Sequence, residues 1–434
     1  MSMSTIKKIV DGTLVDPDGD GTQKLSVPTR SVIIAESLKG MEADVVGALE
    51  FEPPFAVVSD PDTYAVMGER VEHALESLGK IISINLGKNP YADMVTAERL
   101  IAETLKAATL IAVGSGTIND LCKYVAAQKA KSCAVFATAP SMNGYTSINA
   151  SISINGHKKS LVTVAPEGVF MDLEVFAAAP KRMIRSGLGD SVCRATAQVD
   201  WMLAHMLFDS EYREAPFQFL AEDEMVLLEE PEALVSGDME AMGHLSRTLV
   251  LSGIGMTVCG GSYPASQGEH LISHYIEMMH PADWEEAFHG EQIAVTTCVM
   301  ARLQERLLRG KRPCMLPSVL TKDSIMSHFG EKFGGKCWEE YNKKHLDKQG
   351  ADQLNVHLER SWPDIQEKLS AVIIPSETLV SILQRAGAPV NFKDINLDEF
   401  FFADAVLHAR EIRNRYTFLD LASDAGMMNP KEII

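Results

Sequence analysis

Short apolar runs alternating with amphipathic stretches organise the first 180 residues. Continuous apolar segments at 32–35, 55–59, 80–85, 109–113 and 133–138 predict strands, and the stretches 62–78 and 91–107 between them predict helices. Apolar strands separated by helices of a dozen or more residues form βαβ units and a parallel sheet. Residues 151–164 differ and predict a hairpin with Asn155 and Gly156 at its turn. Past Pro180 the period lengthens, with helical patterns at 191–207, 241–251, 291–308 and 376–385 and little strand signal. The expected fold class is therefore an α/β N-terminal domain, residues 1–180, followed by a mostly α-helical C-terminal domain, residues 181–434. Residues 310–350, rich in Lys and Gly, are expected to be loop-heavy, and no internal repeat is visible.

Composition narrows the class. A chain of 434 residues exceeds one typical core, so two domains are expected. No apolar run approaches the roughly 18 residues of a membrane span, and the first residues lack the apolar core of a secretory signal, so no membrane insertion and a cytoplasmic location are expected. Seven cysteines, odd in number and without a CxxC pair, argue against a disulfide framework and a thiolate metal site. A net charge of -19 repels phosphate backbones, which excludes nucleic acid as an expected partner. An anionic small substrate would need a local basic pocket.

The densest chemistry lies in residues 260–290, GGSYPASQGEHLISHYIEMMHPADWEEAFHG. His270 and His274 are four apart and share a face if helical, and His289 follows. Imidazole is the commonest ligand for a divalent transition metal, although such a pair can also be surface decoration or a satisfied core pair. HExxH is absent, because Leu271 follows His270, so a zinc protease is not indicated. In RSGLGDSVCR, Asp190 follows an expected Gly-x-Gly turn and opens an apolar helical run, so it is either a helix N-cap or a further ligand. Asp with two His leaves a position open for substrate.

The run TLIAVGSGTIND, residues 109–120, carries an apolar strand into Gly114-Ser115-Gly116 and a helix. Glycines let the backbone approach a pyrophosphate, and a helix N-terminus offers free N–H groups. Asn119 stands where a full GxGxxG would have its third glycine. Asp60, closing FAVVSD, either holds an adenosine ribose or begins a turn with Pro61.

These motifs, with ATAPSMNGYTS (137–147), MDLEVFAAAP (171–180), SGLGD (186–190), PASQGEHLISH (264–274) and FHG (288–290), resemble in order and spacing the iron-containing alcohol dehydrogenase and glycerol dehydrogenase superfamily, with dehydroquinate synthase a more distant relative. SMNGYTS and the PASQGEHLISHYIEM segment are most similar to sn-glycerol-1-phosphate dehydrogenases. The resemblance covers about residues 30–310. It implies a dehydroquinate synthase-like fold with a Rossmann-like parallel sheet, and a homo-oligomer. It implies a metal-dependent oxidoreductase that reversibly reduces dihydroxyacetone phosphate to sn-glycerol 1-phosphate with NAD(P)H. A glycerol or other polyol dehydrogenase of the same fold is the alternative.

By the same resemblance Asp60, Gly114, Ser115, Gly116, Asp120, Thr138 and Ser141 contact NAD(P). Asp190, His270 and His289 hold one divalent metal, with Zn²⁺, Ni²⁺ and Fe²⁺ all suited to the donor set, and His274 lines the site, where either it or a metal-bound water supplies the catalytic proton. Asn143 contacts substrate where many relatives have Asp, and Gln267-Gly268 replaces the usual Gly-Ser. Lys158, Lys159, Arg185, His244 and Arg247 are the candidate cations for the substrate phosphate. Arg247 is preferred, because an arginine in the apolar run SRTLVLSGIGMTV must find a partner.

Overall fold

The computed structural model describes residues 2–154 and 157–434. Eight strands occur among them: β1 (Ser31–Ala35), β2 (Phe55–Ser59), β3 (Ile81–Asn85), β4 (Thr109–Gly114), β5 (Ser132–Ala137), β6 (Asn149–Ile154), β7 (His157–Val162) and β8 (Gly168–Asp172). Six form an all-parallel sheet in the order β1-β8-β5-β4-β2-β3. The four central strands read as unbroken apolar runs because helices cover both faces. β2 and β4 are buried at every position, as is β8.

β6 and β7 pair antiparallel as the expected hairpin, while its turn residues Asn155 and Gly156 lie outside the described residues. β8 was not anticipated. It runs into the motif at residues 171–180 and ends on Asp172, whose carboxylate caps the following helix by accepting from the Val175 N–H at 3.2 Å.

The chain forms two compact units. The first comprises residues 1–191 and 213–262, the second residues 192–212 and 263–434. Residues 213–262, on the far side of the 180/181 boundary drawn from sequence, thus belong with the sheet, carried by the helices Ala215–Glu229 and Met239–Val258. The sheet's core on one face is built from Val57, Ile111, Val113, Phe136 and Phe170 with Val46, Met67 and Val71 from the covering helices.

The second unit is built of helices and contains no strand among its described residues. Its core joins Leu271, Tyr275 and Ile276 of the helix Gly268–Met279 to Val295, Val299 and Leu303 of the helix His289–Arg309. Residues 310–321 lack regular structure, but a helical segment, Lys322–Tyr341, broken at Gly330 where φ is 68°, replaces the loop expected further on. The reason is apolar spacing: Ile325, Phe329, Phe333, Cys337 and Tyr341 recur every four residues, and all are buried. The helical pattern at 62–78 is likewise shorter than expected, ending at Leu75 and containing a π-helical turn, Tyr64–Gly68. Among the described residues no helix is long and apolar enough to cross a membrane.

Candidate active site

The glycine turn forms as expected. Gly114 ends β4, Gly116 begins the helix Gly116–Lys129, and Ser115 occupies the cap position without a side-chain cap bond. The first turn also contains no acidic residue. The positive end of the helix is therefore left available to an anion. A Cβ on Gly114 would lie 2.5 Å from Ile118 Cδ1, so only glycine lets this helix start so close to its strand.

Asp60 follows β2, which pairs in parallel with β4, so Asp60 and Gly114 stand at the same C-terminal edge of the sheet. That edge is where ligands bind in open α/β sheets. Asp60 Oδ1 is occupied in capping, accepting from the Thr63 N–H at 2.8 Å, as the turn reading with Pro61 requires.

The loop after β5 packs over this turn. The Thr138 N–H donates to the Gly114 carbonyl at 3.2 Å, and a Cβ on Gly116 would touch Met142 Cγ at 3.4 Å. Tyr145, fully buried, donates its hydroxyl to the Ala139 carbonyl at 2.7 Å and closes the loop on itself. Ser141 contributes a carbonyl that accepts from Ser186 Oγ at 3.2 Å. Asn143 is buried, and its side-chain Nδ2 has no hydrogen-bond partner among the described residues. Asp120 accepts from the Ser151 N–H at 2.8 Å, which ties the helix to the β6 hairpin.

Sequence reasoning missed Lys123. Its Nζ is wholly buried and donates to the Gly144 carbonyl at 3.1 Å, to Ser147 Oγ at 3.3 Å and to the Asn149 carbonyl. Burial pushes its pKa down, against the pull of Asp120 at 3.6 Å. The available signal was a lysine three residues after Asp120 in an otherwise apolar helix.

Asp190 is not an N-cap. It lies near the end of the helix Lys181–Val192, which runs through the SGLGD segment where a turn and a following helix start were expected. Gly187 explains the difference. A Cβ there would lie 1.7 Å from the Pro140 carbonyl oxygen, so this glycine serves close packing of helix on loop, not a turn. The approach brings Asp190 Oδ2 to the Asn143 N–H at 2.8 Å.

In the second unit the three histidines converge. His270 and His274 project from the helix Gly268–Met279 with ring centroids 6.0 Å apart, and His289, first residue of its helix, lies 5.2 Å from His270 and 6.2 Å from His274. Carboxylates lie against Nδ1 of each ring. Glu269 Oε1 lies 2.9 Å from His270 Nδ1, Glu277 Oε2 lies 3.2 Å from His274 Nδ1, and Glu277 Oε1 lies 3.7 Å from His289 Nδ1. The two hydrogen-bonded contacts place the proton of His270 and His274 on Nδ1 and leave Nε2 as the lone-pair nitrogen. Burial, then the charge of Arg413, pushes the His274 pKa down to about 3, so its imidazole is neutral at ordinary pH.

Arg247 has the partner that an arginine in an apolar run requires. Its Nε donates to Asp223 Oδ1 at 2.9 Å, and His244 Nδ1 lies 2.7 Å from the same oxygen. Both candidate cations are thus committed to an internal carboxylate. Two other arginines were missed. Arg415 donates to the Ser266 carbonyl and lies over the Tyr263 ring, 4.7 Å from its centroid. Burial, with Arg413 adding repulsion, pushes its pKa down to about 9. Both fall in the stretch beyond 310, where no motif was recognised.

A parallel sheet with a glycine turn at its C-terminal edge, joined in one chain to a helical unit carrying three clustered histidines, is the arrangement that the resemblance to iron-containing alcohol dehydrogenases implies. The sequence model of that family matches residues 33–180. The fold agrees: a glycerol dehydrogenase from Schizosaccharomyces pombe superposes with a TM-score of 0.61 at 16% identity, covering 93% of this chain and 87% of that one.

Two relatives sharpen the class. The glycerol-1-phosphate dehydrogenase [NAD(P)+] of Thermococcus kodakarensis is 32% identical, over 63% of this chain and 77% of that protein. Its namesake from Halalkalibacterium halodurans is 30% identical, over 84% of each. The chain belongs to the glycerol-1-phosphate dehydrogenase family, a group of oxidoreductases.

Proposed function

We propose that this protein catalyses the reversible, NAD(P)-linked reduction of dihydroxyacetone phosphate to sn-glycerol 1-phosphate, with one divalent metal held by Asp190, His270 and His289. The observation that carries this reading is the histidine cluster, in which Glu269 holds Nδ1 of His270 and Glu277 holds Nδ1 of His274, leaving Nε2 of both as the lone-pair nitrogen. A buried carboxylate backing an imidazole is the usual outer support of a metal ligand. Asp190, with one oxygen held by the Asn143 N–H, offers its other oxygen as the third donor. This donor set suits a borderline divalent ion such as Zn²⁺, Ni²⁺ or Fe²⁺.

When bound, the metal supplies Lewis acidity that favours negative charge on the substrate oxygen, and the nicotinamide supplies hydride. The protein's own residues do the rest. The first-turn N–H groups of the helix Gly116–Lys129 bind the cofactor pyrophosphate, and Asp60, through its second oxygen, takes the ribose. Lys123 and Tyr145 fix the loop that presents Thr138, Ser141 and Asn143, and the spare Asn143 amide donates to substrate. His274, neutral and with Nδ1–H held by Glu277, moves a proton at Nε2. Reduction therefore requires it to draw a proton from solvent first. Arg413, whose charge reaches His274, supplies the cation for the substrate phosphate, in place of Arg247.

The test is a steady-state comparison of dihydroxyacetone phosphate with dihydroxyacetone, with either nicotinamide and with added metals, followed by chiral analysis of the product. Strong preference for the phosphorylated substrate is expected in the wild-type chain and loss of that preference in Arg413→Met. Equal turnover of free polyols by the wild type would replace this reading with a polyol dehydrogenase.

A further inference from the structure

A second cluster of metal-ligating side chains stands in the helical unit, outside the set just described. His328 lies on the helix Lys322–Tyr341, and Asp404 and His408 lie on the helix Glu399–His408. Their donor atoms fall within 4.8 Å of one another. The two imidazoles are stacked with centroids 3.7 Å apart.

The hydrogen bonding sets the chemistry. His408 Nδ1 lies 2.7 Å from Glu411 Oε1, a contact that places a proton on Nδ1 and turns Nε2 towards Asp404. Nε2 faces Asp404 Oδ1 at 3.6 Å. A ring set between two carboxylates calls for a positive charge in this gap, either a second ring proton or a metal ion. A metal at the roughly 2.0–2.1 Å typical of nitrogen and oxygen donors keeps tetrahedral ligand atoms about 3.4 Å apart, close to the gap observed. The third donor, His328 Nε2, lies 3.8 Å from Asp404 Oδ2. Tyr275 donates its hydroxyl to Asp404 Oδ2 at 2.8 Å, and His328 Nε2 is 2.8 Å from the same hydroxyl. Glu411 behind His408 and Tyr275 behind Asp404 reproduce the outer support that orients metal ligands. The side chains of His328, His408 and Asp404 are 22%, 26% and 45% exposed, which leaves a route for an ion and room for water as a fourth ligand.

We infer that His328, Asp404 and His408 form a second divalent transition-metal site, distinct from Asp190, His270 and His289, that ties two helices together. Imidazole and carboxylate donors select Zn²⁺, Co²⁺ or Ni²⁺ over Ca²⁺ or Mg²⁺. Uptake moves the proton of His328 off Nε2, to Nδ1 or to solvent, and leaves the Tyr275 bond to Asp404 in place. The site is structural, and its influence on the first cluster passes through Tyr275, which shares a helix with His270 and His274.

The full-length protein, stripped with chelator and retitrated with Co²⁺, tests this. Wild-type protein is expected to bind two equivalents, and His408→Gln and Asp404→Asn one each. A His270→Ala, His289→Ala double variant is expected to retain about one equivalent with a visible Co²⁺ d–d spectrum, which His328→Gln then abolishes. The double variant isolates the second site, so it reads correctly even if the catalytic assignment fails. Absence of Co²⁺ binding by a folded double variant overturns the inference, leaving the pair as an imidazolium held between Asp404 and Glu411. Should the double variant not fold, an unchanged stoichiometry in His408→Gln overturns it equally.

Discussion

Asp190 Oδ2 accepts the backbone N–H of Asn143 at 2.8 Å. A residue read as a metal ligand is thereby oriented by the loop read as contacting substrate. Asp190→Asn keeps the shape but turns an acceptor into a donor on one side and removes the charge a cation requires. Metal affinity is expected to fall by at least about 10–100-fold, with turnover falling alongside it. NAD(P)H binding, which the proposed function assigns to the Gly114–Gly116 turn, is expected to persist. Metal content after dialysis and quenching of nucleotide fluorescence read the two separately; a variant that holds metal as tightly as wild type removes Asp190 from the ligand set.

Gly187 makes that orientation attainable, because no side chain fits between its Cα and the Pro140 carbonyl. Gly187→Ala must push helix and loop apart. A cost of about 1–3 kcal/mol in stability is expected from overpacking, together with a loss in kcat beyond what the fall in folded fraction explains, since Asp190 and Asn143 separate. Thermal denaturation and kinetics on the same preparation check this. A variant as stable and as active as wild type would mean the helix relaxes without cost.

Much of this arrangement was legible in the residues. Central strands declared themselves because burial on both faces demands unbroken apolar runs, as in FAVVS and TLIAVG. The His270, His274 and His289 convergence could be read because i and i+4 fix a shared helix face. The helix Lys322–Tyr341 was obscured by its glycines and lysines, although its apolar residues keep a four-residue spacing. Glycine in SGLGD was misread as a turn because sequence cannot distinguish a glycine needed for positive φ from one needed for close packing. Lys123, Asp200 and the His328 cluster act through partners tens to more than a hundred positions away or through burial, and neither leaves a local signature.

Lys123 shows the energetic side of that limitation. Its ammonium satisfies the carbonyls of Gly144 and Asn149 and the Ser147 hydroxyl. Lys123→Met keeps the volume and leaves these acceptors bare, at about 1–3 kcal/mol for each buried group left without a partner. The loop carrying Asn143 is expected to loosen, raising KM for substrate more than it lowers metal content. Equal KM in variant and wild type, with the loss confined to melting temperature, would limit Lys123 to a structural part.

Asp200 predicts the pH dependence of stability. It is wholly buried and accepts from the N–H groups of Gly268 and Phe418 and from Gln304 Nε2, yet burial, and then the nearby Glu269 carboxylate, push its pKa up to about 8. In the unfolded chain it titrates near the ordinary value of about 3.9. The folded state therefore holds more protons between pH 4 and 8. The stability linked to this group is fully present below the unfolded value and is lost as pH rises through the folded one, with a slope of about 1.4 kcal/mol per pH unit at most. Asp200→Asn removes this slope, so denaturant midpoints of variant and wild type should differ most in favour of wild type at pH 5 and converge or cross towards pH 8. Parallel profiles across that range would show that Asp200 is already ionised in the fold, its three hydrogen-bond donors outweighing its burial.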